Sequence, residues 1–307
     1  MSSTEARRDP LTGRWILVAT GEAPEPEVVV TSATAPLAKV TVDEAPSHDY
    51  APDPVLDRKS PVDRTRLADG LYTAATSAGR HEQIVESVDA PLESLDHTTV
   101  AATLRLYRDR MLELADDNRT RFFGVTKAHG AAAGATTEGA TSEVFALPFV
   151  PDAARQILTA FFGHHRKTGA CVLCDMIRFE RNEKVRVVED GLRHVALCPW
   201  ASADPFEILI APKGHHPSFL AASDADLEDA AGLLARTLSR LTAALDGPAY
   251  RYVLRTAPPD AGADAKHFHW HFAVRPIVTA RAALDELLPF NPVAPEHAAA
   301  RLVKVEP

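Results

Sequence analysis

One order of elements occurs twice in this chain, and it restricts the fold more than any single motif does. In the first half, residues 80–87 have strand composition and Asp96 caps a helix running to about residue 117. Its Val100, Leu104, Tyr107, Met111 and Leu114 recur at three- and four-residue spacing, which makes one apolar stripe. A strand follows at 122–126, then a small-residue loop at 128–139 and a strand at 142–147 that ends at Pro148. The second half repeats this: a strand at 205–211, a helix capped by Ser223 with Leu227, Leu234, Leu238, Leu241 and Leu245 on one stripe and Gly247 as its stop, a strand at 250–256, a loop at 258–265 and a strand at 267–274 before Pro276. Glu82 to Pro148 spans 66 positions and Glu207 to Pro276 spans 69, and the two final strands align without a gap, Gly139 over His267 through Pro148 over Pro276. The pattern predicts an α+β fold made by tandem duplication, with antiparallel sheets and packed helices, the copies covering 1–155 and 156–307.

Composition bounds what such a fold can do. A net charge of −9 and a pI near 5.8 argue against a nucleic-acid partner, which needs a concentrated basic surface, but leave room for a small anion in a local basic pocket. Three cysteines are too few for a disulfide scaffold and fit a reducing compartment. With no signal-like apolar core after Met1 and no run of about 18 apolar residues, the expectation is a soluble, cytoplasmic protein with no membrane partner. Residues 7–20 read as a turn feeding a short buried strand, and 21–76, rich in Pro, Ala, Asp and Ser, as long loops and irregular strands.

Chemistry concentrates in the second half. His267, His269 and His271 alternate with Phe268, Trp270 and Phe272, so a strand would put three imidazoles on one face and three aromatic rings on the other. Solvated histidine clusters need no apolar opposite face, which favours a functional strand over a tag-like run. Cys171-Val-Leu-Cys174 supplies two soft ligands, and the rest of a zinc set would come from His215 or His216 and one member of the 267–271 run. A redox pair or plain core cysteines are the alternatives. The 128–139 loop could bring backbone amides to a phosphate, and is equally readable as a plain loop. No Gly-x-Ser-x-Gly elbow or Gly-x-x-x-x-Gly-Lys-Ser/Thr loop is present.

Several of these segments together resemble the galactose-1-phosphate uridylyltransferases and their sugar-nucleotide phosphorylase relatives, within the histidine-triad superfamily. The resemblance covers nearly the whole chain: Arg8-Asp-Pro-Leu-Thr-Gly-Arg-Trp15, His81-Glu-Gln-Ile-Val-Glu86, Lys127-Ala-His-Gly-Ala-Ala-Ala-Gly-Ala135, Ala146-Leu-Pro-Phe-Val-Pro151, Cys171-Val-Leu-Cys174, Pro205-Phe-Glu-Ile-Leu-Ile-Ala-Pro-Lys213, Phe268-His-Trp-His271 and Asn291-Pro-Val-Ala-Pro-Glu296. It implies two histidine-triad-like copies, a homodimer, and ping-pong transfer in which a neutral histidine attacks the α-phosphorus of a sugar nucleotide and a second phosphate then takes the nucleotidyl group.

The departures bear on activity. Where the family carries a His-Pro-His-x-Gln strand in the first copy, this chain reads Gly139-Ala-Thr141-Ser-Glu143, so a threonine stands at the nucleophile position. No cysteine precedes Cys171, Ala90 stands where the family has a histidine, Ala128 where it has a phosphate-holding asparagine, and Gly21-Glu-Ala-Pro-Glu-Pro26 replaces arginines. The first-copy site is therefore expected to be lost. In the second copy the resemblance implies a zinc set of Cys171, Cys174, His215 and His267, with His269 and His271 as catalytic histidines and Lys266 and Arg275 as substrate contacts. Two functions follow: a uridylyltransferase-like nucleotidyltransferase or sugar-nucleotide phosphorylase or hydrolase working from the second copy, or a catalytically silent sugar-nucleotide binder or scaffold with a structural zinc.

Overall fold

The computed structural model describes residues 4–20, 80–87, 90–116, 119–135, 139–259, 266–278 and 288–306. The loops expected at 21–76, and residues 136–138 and 260–265 of the two loops that precede the final strands, lie outside the described residues.

Eight strands form one sheet in the order β3-β5-β4-β9-β10-β8-β7-β6. They are β3 (Arg80–Ser87), β4 (Phe122–His129), β5 (Ala140–Leu147), β6 (Val187–Asp190), β7 (His194–Leu197), β8 (Ile208–Pro212), β9 (Tyr250–Arg255) and β10 (His271–Pro276). Each neighbouring pair is antiparallel. The triplet β3-β5-β4 is mirrored in order by β9-β10-β8, and the two meet where β4 pairs with β9. Corresponding positions make corresponding pairs: Thr126 lies opposite Glu143 on β4 and β5, as Arg255 lies opposite His271 on β9 and β10. At the seam Val125 pairs with its own counterpart Leu254, which locates a pseudo-two-fold axis through that pair. The duplication legible in the residue order is thus a symmetry of one sheet.

Two helices cover one face. Helix α1 (His97–Ala115) begins at Asp96, whose carboxylate accepts from the Thr99 amide at 3.0 Å, and helix α4 (Asp224–Ala244) begins in a capping box between Ser223 and Asp226. These caps satisfy amides that the first helical turn leaves open. The stripes of both helices, including Leu104, Met111, Leu234 and Leu238, are fully buried in a cluster that runs through both halves. Burial of each such side chain contributes roughly 1.5–3 kcal/mol.

The other face is treated unequally. On β7 and β8, Ala196, Ile208 and Ile210 join the cluster under α1 and α4, while Val195, Leu197, Leu209 and Ala211 point the opposite way into a second cluster. That second cluster is closed by helices α2 (Asp152–Thr168) and α3 (Val172–Glu183) through Ile157, Phe161, Leu173 and Ile177. The expected boundary between residues 155 and 156 falls one turn into α2. Across β4 and β5 the same face carries Thr126, Thr141 and Glu143, and lines an open cleft. A small sheet, β1 (Thr4–Arg8) and β2 (Trp15–Ala19) with β11 (Phe290–Asn291) parallel to β2, and helix α5 (Pro295–Val303) complete the described chain. Arg7 of β1 is tied to Glu296 of α5 at 3.0 Å.

The histidine run departs from the expected strand. Strand β10 starts at His271, and His267–Trp270 approach it irregularly, with the Trp270 amide donating to the carbonyl of His216 at 3.0 Å. Trp270 and Phe272 enter the main core as the alternation predicts, but Phe268 packs on Phe161 at 4.7 Å, in the second cluster, and its ring also stacks with that of His271. Without strand geometry before 271, the three imidazoles do not share one face.

Candidate metal centre and two strand-face pockets

Four ligand atoms converge at the N-terminus of α3. Cys171 caps the helix and Cys174 sits in its first turn, so the C-x-x-C spacing places both thiols at one end of the helix. Cys174 Sγ lies 3.4 Å from Nδ1 of His215 and 3.4 Å from Nδ1 of His269, and Cys171 Sγ lies 3.9 Å from the same His269 atom. All four donor atoms fall within 4.8 Å of one another, a group that could hold a metal ion. Tetrahedral S and N ligands about 2.0–2.3 Å from a common ion are separated by roughly that spread of distances.

The outer contacts fit as well. His269 Nε2 donates to the carbonyl of Pro212 at 3.0 Å and His215 Nε2 to that of Lys266 at 2.8 Å, which leaves both Nδ1 lone pairs turned toward the thiols. The hydrogen bond from Cys174 and the adjacent His269 lower the Cys171 thiol to about 3, while sharing that proton raises Cys174.

The residues gathered differ from the expected set at one position. His267 lies outside the group, stacked on His165 with ring centroids 3.5 Å apart, and His269 takes the place at the cysteines that the resemblance implied for His267. The cause is the irregular approach to β10: where an extended strand would present His267 and His269 alike, the chain here turns His269 alone onto the helix end. Lys266 contributes its backbone carbonyl to His215, and its side chain is exposed. Cys198 is a core residue whose thiol burial pushes up.

His271 occupies a different environment. It is fully buried, and its Nδ1 donates to the carbonyl of His269 at 2.8 Å, so Nε2 carries the lone pair; Nε2 has no partner among the described residues. Burial and the neighbouring Arg255 push the imidazole down to about 3, which keeps it neutral. It borders a cavity of about 40 Å³ shared with Asp9, Glu207, Arg255 and Arg275. Arg275 donates to Glu207 at 3.0 Å. Arg255 carried no signal in the sequence, because only the pairing of β9 with β10 reveals that it faces His271.

By the pseudo-two-fold, the counterpart of this cavity is the open cleft over the first triplet, where Glu143 replaces His271 and Thr126 replaces Arg255. The cleft encloses about 440 Å³ and is bordered by Gln83, Thr141, Glu143, Gly134 and Arg251. No histidine is among the described residues that line it. Behind it Lys127 pairs with Glu86, and Glu86 also accepts from Ser142 and from Tyr107, which bonds Tyr252 at 2.8 Å. The loop offered above to a phosphate spends the amides of Ala133, Gly134 and Ala135 on its own carbonyls. Gly130 turns the loop at a φ of 79°, and a Cβ there would stand 2.8 Å from that of Ala249.

Fold and sites together define a tandem histidine-triad-like α+β protein with one Cys2His2 group among the described residues. No protein-family profile matches the chain. It is 26% identical to an ADP-glucose phosphorylase of Arabidopsis thaliana, over 97% of this chain and 92% of that protein. It is 22% identical to a galactose-1-phosphate uridylyltransferase of Thermotoga maritima over 98% of each. A crystal structure of an Arabidopsis thaliana ADP-glucose phosphorylase with bound ADP-glucose superposes with a TM-score of 0.77 at 26% identity, covering 99% of each chain. Over nearly its whole length the chain is thus similar to the galactose-1-phosphate uridylyltransferases and their phosphorylase relatives, while lacking the first-copy His-Pro-His motif.

Proposed function

We propose that this protein binds a nucleoside diphosphate sugar or a related nucleotide in the cleft over β4, β5 and β9, and holds zinc as a structural ion at Cys171, Cys174, His215 and His269. The observation that carries the reading is the cleft itself: it has the volume of a ligand site and is bordered by Thr141 and Glu143, the positions that the resemblance gives to the nucleophile motif. An open site persists there without an imidazole to form a nucleotidyl-histidine. Recognition without covalent transfer is what those side chains support, since a threonine hydroxyl is a weaker nucleophile than an imidazole and Glu143 repels an attacking or transferring phosphate. The donor set is the kind that closes structural zinc sites, with no ligand position left over for substrate.

A second reading has its own observation. His271 is neutral, anchored through Nδ1, and has an Nε2 lone pair without a partner among the described residues, in a cavity lined by Arg14, Arg255 and Arg275, the state a nucleotidyl-transferring imidazole requires. In it, Nε2 forms a P–N bond to the α-phosphorus, the P–O bond to the sugar phosphate breaks with its electron pair leaving on oxygen, and a phosphate oxygen later displaces the imidazole. With His269 at the cysteines, this role falls to His271. The enclosed volume of about 40 Å³ beside it disfavours this reading, because a nucleotide does not fit without rearrangement.

One experiment separates them. The zinc-loaded protein is melted with ADP-glucose, UDP-glucose and other sugar nucleotides, and incubated with the same compounds labelled at the α-phosphorus. Binding in the cleft predicts a saturable rise in Tm that Thr141→Trp abolishes, with no retained label. Protein-bound label lost in His271→Asn would establish the transferase reading instead.

A further inference from the structure

We propose that the enclosed cavity at His271 is a binding site for one tetrahedral oxyanion, of the class of inorganic phosphate or a phosphate monoester. This concerns the second copy and does not depend on what the first-copy cleft binds.

The argument is an inventory of donors and acceptors. The cavity is bordered by three arginines, Arg14, Arg255 and Arg275, and by the carboxylates of Asp9 and Glu207. Both carboxylates already accept hydrogen bonds from other groups. Asp9 accepts from the Leu11 amide at 2.9 Å and from the Thr12 hydroxyl at 2.5 Å. Glu207 accepts from Arg275 Nε at 3.0 Å and from the Ala203 amide at 3.1 Å, and Asp204 lies 3.6 Å from the same Arg275 nitrogen.

Arg255 is the opposite case. Its guanidinium, with five N–H donors, makes no hydrogen bond or ion pair to any described residue, although it faces the cavity from the middle of the sheet. Desolvation and the nearby Arg275 push its pKa down, and the charges of Glu207 and Asp9 offset only part of that. His271 adds an unmet acceptor: its Nε2 is wholly buried and has no partner. A half-buried cation with no protein acceptor, beside a buried lone pair lacking a donor, is matched by an oxyanion that carries one O–H. Arg255 takes two oxygens in a fork, and the hydroxyl of a monohydrogen phosphate donates to Nε2.

Size sets the class. About 40 Å³ of room for water-sized centres holds roughly three waters, which a tetrahedral oxyanion can replace and a nucleotide cannot. The Asp9–Arg14 turn closes the cavity from the small sheet.

The test uses the full-length, zinc-loaded protein, with inorganic phosphate titrated against chloride at matched ionic strength and followed by calorimetry and Tm. The wild type is expected to bind phosphate saturably. Arg255→Met is expected to weaken that binding about tenfold or more, while its own Tm without phosphate stays level, because Arg255 makes no hydrogen bond or ion pair to a described residue that the substitution would remove. Arg255→Lys, which keeps the charge and loses the fork, serves if Arg255→Met does not fold, and should fall between the two. Thr141→Trp, which blocks the first-copy cleft, should leave phosphate binding intact. No saturable binding by the wild type, equal binding by the folded Arg255 variants, or loss in Thr141→Trp would overturn the proposal.

Discussion

His269 and His267 show how much one residue's placement decides. The alternation in sequence makes them equivalent, yet His269 reaches both cysteines while His267 stacks on His165. Each deserves its own substitution. His269→Asn is expected to cut bound zinc from about one per chain to near none and to lower Tm, because a structural site loses a quarter of its ligands. His267→Asn should retain the metal. Elemental analysis of the two purified variants decides it, and metal loss in His267→Asn with retention in His269→Asn would reverse the assignment.

The strands and helices around the cleft are tied by one buried polar cluster. Glu86 comes from β3, Lys127 from β4, Ser142 from β5 and Tyr107 from α1, and Tyr107 in turn bonds Tyr252 of β9, so one cluster joins five elements and both copies. Lys127 and Glu86 are almost wholly enclosed, with 1% and 0% of their side chains exposed. Breaking such a pair strands a charge without water. Lys127→Met is therefore expected to cost about 3–5 kcal/mol in urea unfolding, and Lys127→Met with Glu86→Gln to recover a large part of it. A single variant within about 1 kcal/mol of wild type would mean that the pair does not carry separated charge.

At the scale of the molecule, the two copies share one eight-stranded sheet and one main core. The seam at β4 and β9 is five pairs long, from Val125 with Leu254 to His129 with Tyr250, and α1 packs on α4 across it. Residues 1–150 and 151–307, produced separately, would each expose a sheet edge and half of the main core. Both are expected to aggregate or remain unfolded by circular dichroism and gel filtration, and to recover native spectra when co-expressed. Two independently melting halves would show that the seam is not needed for folding.

How much of this was legible in the residue order follows from the range of the interactions. Asp96 and Ser223 announce their helices, the leucine stripes announce which face is buried, and the spacing of the two strand sets announces the duplication, because caps, stripes and strand lengths depend on neighbours a few residues away. The C-x-x-C of Cys171 and Cys174 carries its own local geometry, and the structure gathers both thiols with His215, one of the two histidines that the residue order left open. Sequence could not find Arg255 opposite His271, nor choose His269 over His267, because those depend on the register between β9 and β10 and on where the chain leaves extended geometry before residue 271. The residue order by itself determined the duplicated α+β fold and the loss of the first-copy histidine motif. Only the tertiary structure decided which histidine meets the thiols and which cation is left unmatched in the sheet, since both follow from contacts between segments far apart in the chain.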